Sequence, residues 1–169
     1  MSKTPKGPPD WYRLDNAGVL YSALQREKYS PVYRFSAVLS QPVDPAVLQR
    51  AVDRTMPRFP GFRVRMKPGV FWHYFEPNDS PGPFVRPDMS NPCQPIRFRE
   101  DNGWLVRFFY YQSRISLEVF HAVSDGAGAL TFFRTLLAVY LRELGHPLPC
   151  GPGLLDVDDP PRPEELEDA

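Results

Sequence analysis

The stretch from Gly126 to Leu144 constrains the fold more than any other. At helical spacing, Thr131, Arg134, Thr135, Ala138 and Arg142 fall on one narrow polar stripe. Leu130, Phe132, Phe133, Leu136, Leu137, Val139, Tyr140, Leu141 and Leu144 cover the remainder. A helix this apolar has to lie against a sheet and a second surface. Gly145 closes it, and Pro147 prevents its continuation. Just upstream, Arg114–Phe120 alternates as a strand does, with Ile115, Leu117 and Val119 on one face and Arg114, Ser116 and Glu118 on the other. A strand that feeds such a helix calls for a layered α/β domain.

The rest of the chain supplies the layers. Trp104 to Tyr111 is apolar at nearly every position, as in a strand buried on both faces, and Gln112-Ser113 turns it into the next strand. Val32 to Leu39 is a further strand, with Tyr33, Phe35, Ala37 and Leu39 sharing a face. Asp44 caps a helix that Pro45 opens; Val47, Leu48, Ala51, Val52 and Thr55 keep helical spacing until Pro57 ends it. Phe62–Met66 and Val70–Phe75, joined at Lys67-Pro68-Gly69, read as a hairpin. A short helix capped by Asp15 or Asn16 is expected over Val19 to Leu24, a Pro-rich loop over Asn78 to Pro95, and a short edge strand over Ile96 to Arg99. The fold class expected is α/β (α+β): a two-layer sandwich with a mixed, largely antiparallel sheet covered by helices at 44–56 and 126–144. Residues 1–10 read as a disordered lead-in, 11–148 as the domain, and 149–169 as a Pro- and acid-rich linker or tail.

Composition narrows the function classes. The chain has 20 basic and 20 acidic residues, with no basic cluster, so charge gives no case for a nucleic acid or an anionic membrane as partner. No apolar run has membrane-spanning length, and the N-terminus lacks the apolar core of a signal peptide. Cys93 and Cys150 do not form a disulfide framework. A cytoplasmic enzyme or binding protein is therefore expected. His73, His121, His146, Cys93 and Cys150 show no metal-ligand spacing, and no permanently bound cofactor is implied.

The strand–helix junction is where chemistry concentrates. If the strand stays extended for one more residue, His121 shares the face of Ile115, Leu117 and Val119. That places an imidazole at the inner edge of the core, at a strand end. Asp125 or Ser124 caps the following helix, and Asp125 is placed to brace the loop. Gly126 and Gly128 permit close backbone approach. Bland readings stand beside these. A histidine at a strand end is often a hydrogen-bonded core residue. Ser124 lacks a Gly-x-Ser-x-Gly elbow, so a cap or exposed hydroxyl suits it better than a nucleophile. Gly126-Ala127-Gly128 has the form of a phosphate-binding helix start, but close packing against the sheet is preferred. His73 reads as a sheet-surface residue, and His146 as a residue favouring the negative end of the helix dipole.

The pattern His121-Ala-Val-Ser-Asp125-Gly126, ending a strand and opening an apolar helix, resembles the signature of the chloramphenicol-acetyltransferase-like superfamily of CoA-dependent acyltransferases. That group includes alcohol acetyltransferases and the condensation domains of peptide synthetases. Tyr12-Arg-Leu-Asp-Asn16, with the strand, helix and hairpin after it, resembles the N-terminal part of the alcohol-acetyltransferase-like members, and the likeness covers about residues 11 to 145. It implies that His121 is the general base on a small alcohol, amine or thiol that attacks an acyl thioester directly, with acyl-CoA (acetyl-CoA foremost) as co-substrate. It implies that Asp125 is an orienting residue paired with an arginine, Arg13 and Arg34 being candidates, and that Gly126 leaves space at the reacting centre. No CoA-binding residue is assigned. Two departures matter. Condensation domains often carry a second histidine where this chain has Phe120, which argues against that branch. Full-length members also have a second half with an Asp-Phe-Gly-type segment, which has no counterpart here. The expectation is an N-terminal lobe that needs a C-terminal lobe or self-association to complete its site. The alternative is a non-catalytic half-domain acting as a binding or assembly module.

Overall fold

The computed structural model describes residues 12–13, 31–69, 73–148 and 154–159. In chain order the elements are β1 (Tyr12–Arg13), β2 (Val32–Val38), α1 (Pro45–Thr55), β3 (Val64–Pro68), β4 (His73–Pro77), β5 (Val85–Pro87), β6 (Val106–Tyr111), β7 (Arg114–Phe120) and α2 (Gly126–Glu143). Short 3-10 turns lie at Met56–Arg58, Pro60–Phe62 and Asp101–Gly103. The expected helix over 19–24, the disordered lead-in, and Cys150 lie outside the described residues.

A four-stranded sheet runs in the order β2-β7-β6-β5. Three of its strands are antiparallel, in registers that place Val32 opposite Phe120 and Val106 opposite Val119. The fourth, β5, joins β6 in parallel. A smaller sheet, β1-β4-β3, holds the expected hairpin. The two helices cover one face of the larger sheet, which makes the expected mixed two-layer sandwich.

Local chemistry explains the helices. Asp44 accepts from the amides of Ala46 and Val47, and Pro45 opens α1. The buried residues of α1 are Val47, Leu48, Ala51, Val52 and Thr55, the apolar face read from spacing. α2 is held from several sides. The Phe132 ring stacks on Phe62 with centroids 4.6 Å apart and meets Phe59 edge-on at 4.9 Å. The Tyr140 hydroxyl accepts the Asp44 amide at 2.9 Å, tying the end of α2 to the start of α1. Its second surface is partly chain: the amide of Leu155 donates to Thr135 Oγ1 and the backbone oxygen of Asp156 accepts from Arg58, while Val157 packs against the core. Thr135, expected on the polar stripe, is buried for that reason.

The turn between β6 and β7 falls at Gln112-Ser113 as expected, with Gln112 taking the positive φ of 51° that glycine usually supplies. Two expectations in the middle of the chain are corrected. Val85–Pro87 is a strand inside what reads as loop. Ile96 to Arg99 forms no strand; Ile96 is buried in a second cluster with Leu105, Phe120, Met66 and Phe75, on the helix-free side of the sheet.

That helix-free side carries an enclosed ionic layer. Ser116 and Glu118 are both fully buried. Glu118 Oε1 accepts from Arg34 Nε at 2.9 Å and from the Cys93 amide at 2.7 Å, and Arg107 lies 2.7 Å from Oε2. Asp88 takes both terminal nitrogens of Arg34 and one of Arg114. Burial pushes the Asp88 carboxyl up, but the hydrogen bonds and charge of Arg34, with Arg114 behind them, outweigh burial and hold it below its ordinary value. Burial, then the Glu118 charge, pushes the Cys93 thiol up.

Candidate active site

The site grows from the end of β7. The amide of Phe120 donates to Leu105 at 3.0 Å and that of His121 to Pro31 at 2.8 Å, so on the β2 side the ladder runs one residue past the strand. The chain then turns, with the Val123 amide donating to the Phe120 carbonyl at 2.9 Å. The His121 ring is half-buried and meets the Tyr33 ring edge-on, with centroids 5.0 Å apart. Tyr33 lies opposite Val119 and packs against the helix-side core. The imidazole thus stands at the mouth of the helix-covered layer.

Asp125 caps α2. Its backbone is extended, and its Oδ1 accepts the Gly128 amide at 2.7 Å. Its carboxylate is exposed and, among the described residues, pairs with no arginine. Arg34, one candidate partner, is committed to Asp88 and Glu118 on the opposite face of the sheet. The side chain of Arg13 lies outside the described residues. The Ser124 hydroxyl donates to the Asp125 carbonyl at 3.2 Å, a cap-loop role.

The two glycines differ. A Cβ on Gly128 would collide with Ser124 Oγ, so that hydroxyl would have to rotate out of the cap turn. A Cβ on Gly126 would meet nothing within 4 Å, so Gly126 borders open space. The expected packing of these glycines on the sheet is therefore corrected: the close contact is with the cap.

Sequence reasoning missed Tyr33. Its hydroxyl lies 2.9 Å from the Ser124 carbonyl oxygen and 2.8 Å from that of Asp125, donating between them. Burial, and then the Asp125 charge, raise its pKa, so the hydroxyl remains a donor. Only the pairing of β2 with β7 reveals its place beside His121. His73 sits in β4 near Phe98, and exposed His146 donates its amide to Leu141 beyond α2; neither joins the site. Among the described residues no three metal-ligating side chains converge.

No family model and no curated protein matches the sequence. Solved structures do match in fold. The X-domain from teicoplanin biosynthesis aligns with a TM-score of 0.65 at 18% identity, over 84% of this chain and 35% of that one. The first condensation domain of the calcium-dependent antibiotic synthetase, solved with a substrate analogue, aligns at 0.60 and 20%, over 83% and 40%. The starter condensation domain of rhizomide synthetase, in a mutant form complexed with C8-CoA, aligns at 0.59 and 19%, over 77% and 35%. The architecture is thus that of condensation domains, at identities where likeness is one of fold, and the chain spans well under half the length of these structures. Among the described residues no helix is long and apolar enough to cross a membrane.

Proposed function

We propose that this chain is the histidine-bearing lobe of an acyltransferase. One observation carries the reading: His121 directly follows β7, its backbone amide is fixed to Pro31 at the start of β2, and four residues later Asp125 caps a helix that opens at Gly126 beside open space. A ring nitrogen of His121 takes the proton from an acceptor hydroxyl while the acceptor oxygen attacks the carbonyl carbon of an acyl thioester. The carbon–sulfur bond breaks, the new ester forms, and the sulfur leaves with the proton that the imidazolium returns. Asp125 orients the loop through its cap; Gly126 leaves room for the reacting groups. Acyl-CoA is the donor this reading favours, acetyl first, because one structure of this fold holds C8-CoA. An alcohol is the acceptor that the sequence resemblance favours. The remainder of the site comes from a further lobe or a second copy, since the matched structures extend well beyond the aligned part.

The test is release of CoA thiol from acetyl- and octanoyl-CoA with a panel of alcohols, using the complete protein. Loss of a general base should slow His121→Ala by roughly 10²–10⁴-fold. Equal rates in both proteins would overturn the assignment.

A second reading has its own support. An X-domain of this fold is solved in complex with OxyB. On the helix-free side here, Val38 and Tyr111 are exposed in one row across the sheet, both aligned with Arg114. A non-catalytic assembly module would self-associate or dock through such a surface without thioester turnover. Concentration-dependent sedimentation together with an inert thioester assay would favour that reading.

A further inference from the structure

We propose that Tyr33 is the positioning residue of the His121 loop, holding the imidazole through its ring and the far end of the loop through its hydroxyl. The proposal deepens the acyltransferase reading, because it assigns the element that sets the geometry of the proposed base.

The argument starts from register. β2 and β7 are neighbours, and Tyr33 lies opposite Val119, two residues before His121. Alternation puts Tyr33 on the helix side, where Phe35 follows it and meets it edge-on at 5.8 Å. The Tyr33 ring therefore backs the imidazole on one side and rests against the aromatic core on the other. Two residues earlier, the carbonyl of Pro31 accepts the His121 amide. Two residues of one strand region thus hold both ends of the five-residue loop: Pro31 at its start, Tyr33 at Ser124 and Asp125.

The middle of the loop is tied to β7 by the Val123 amide on the Phe120 carbonyl. Asp125 bonds forward into α2 through Gly128 and Ala129, and Ser124 bonds Asp125. These contacts shape the cap but do not fix it relative to β7. The Tyr33 hydroxyl does, because its ring is anchored in the core while its oxygen reaches the cap carbonyls. A misplacement of about 1 Å in a catalytic group is enough to lower a rate on the order of 10²-fold.

The test compares Tyr33→Phe with Tyr140→Phe. Both remove one tyrosine hydroxyl from a core-packed ring, but that of Tyr140 serves, among the described residues, the start of α1. Hydrogen exchange at the amides of Val123, Gly128 and Ala129, and the ring resonances of His121, are read by NMR. The expected result for Tyr33→Phe is exchange about tenfold faster at these amides and a displaced His121 signal. Tyr140→Phe should leave both as in the parent. Unchanged exchange in Tyr33→Phe, or the same change in both variants, overturns the proposal. In the thioester assay, kcat of Tyr33→Phe should fall while KM stays within about threefold, the pattern of an interaction made in the transition state. If His121→Ala retains full turnover, the acyl-transfer reading fails, and the exchange comparison still decides the role of Tyr33.

Discussion

Glu118 offers the sharpest test of how this fold is held together. Its side chain is fully buried, and three groups converge on it: Arg34 at 2.9 Å, the Cys93 amide at 2.7 Å and Arg107 at 2.7 Å. Glu118→Ala removes one partner and leaves the others enclosed. Arg34 keeps Asp88 and Arg107 keeps the Gln94 carbonyl, but the amide of Cys93 loses its acceptor. Breaking a buried ion pair from one side costs about 3–5 kcal/mol. An orphaned amide accounts for about 1–3 kcal/mol of that. Against a typical domain stability of about 5–15 kcal/mol, the loss is a large fraction. Glu118→Gln keeps an oxygen for Arg34 and Cys93 but removes the charge, so it should fall between the parent and the alanine variant. Glu100→Ala is the control, because the Arg97–Glu100 pair is exposed, at 76% and 60%. An exposed pair is worth about 0–1 kcal/mol. The assay is urea unfolding followed by tryptophan fluorescence, Trp104 being a buried reporter at 4% exposure. A Glu118→Ala loss under about 1 kcal/mol, or one no larger than that of Glu100→Ala, would refute the reasoning.

Two further perturbations probe the same framework. Asp125→Ala deletes the hydrogen bond to the Gly128 amide and should lower stability by about 1 kcal/mol, with Asp125→Asn restoring most of it, as thermal circular dichroism would show. The Asp88 carboxyl is held below its ordinary value, so its contribution is present above the unfolded pKa of about 3.9 and is lost as pH falls through the lower folded value. The urea midpoint should therefore drop as pH falls below about 4 in the parent, and less steeply in Asp88→Asn; equal slopes would remove Asp88 from the account.

The helices were legible because their determinants are local. Asp44-Pro45, the spacing of Val47 to Thr55, and the run of large apolar residues after Gly126 each lie within a few turns of one another. The junction at His121 was legible for the same reason, since a strand period gives way to a helix period around it. β5 was not, because three residues between Phe84 and Asp88 carry no period and their partner strand lies some twenty residues away. Ile96 shows the converse: one buried apolar side chain imitates a strand but makes no ladder. Thr135 and Glu118 show a third limit. Each sits on the polar side of its element, yet each is buried, by residues near Leu155 in one case and by the 88–94 loop in the other. Spacing tells which face a residue occupies; only the assembled chain tells what covers that face.

The buried charges and the candidate site share the same pair of strands. Tyr33 and Arg34 are adjacent in β2, so they point to opposite faces of the sheet. Tyr33 meets His121 on the helix side, and Arg34 meets Glu118 on the other. A slip of β2 by one residue would turn Arg34 toward the aromatic core and carry Tyr33 away from the loop it braces. It would also leave Glu118 and Asp88 enclosed without their main cation, at a cost of several kcal/mol. The Arg34 pair thus opposes a register slip that would carry Tyr33 away from the His121 loop. Precise placement of a side chain such as the proposed base needs support of this kind from rigid elements. In this chain part of that support lies on the far face of the sheet, in the pairs that Arg34 makes with Glu118 and Asp88.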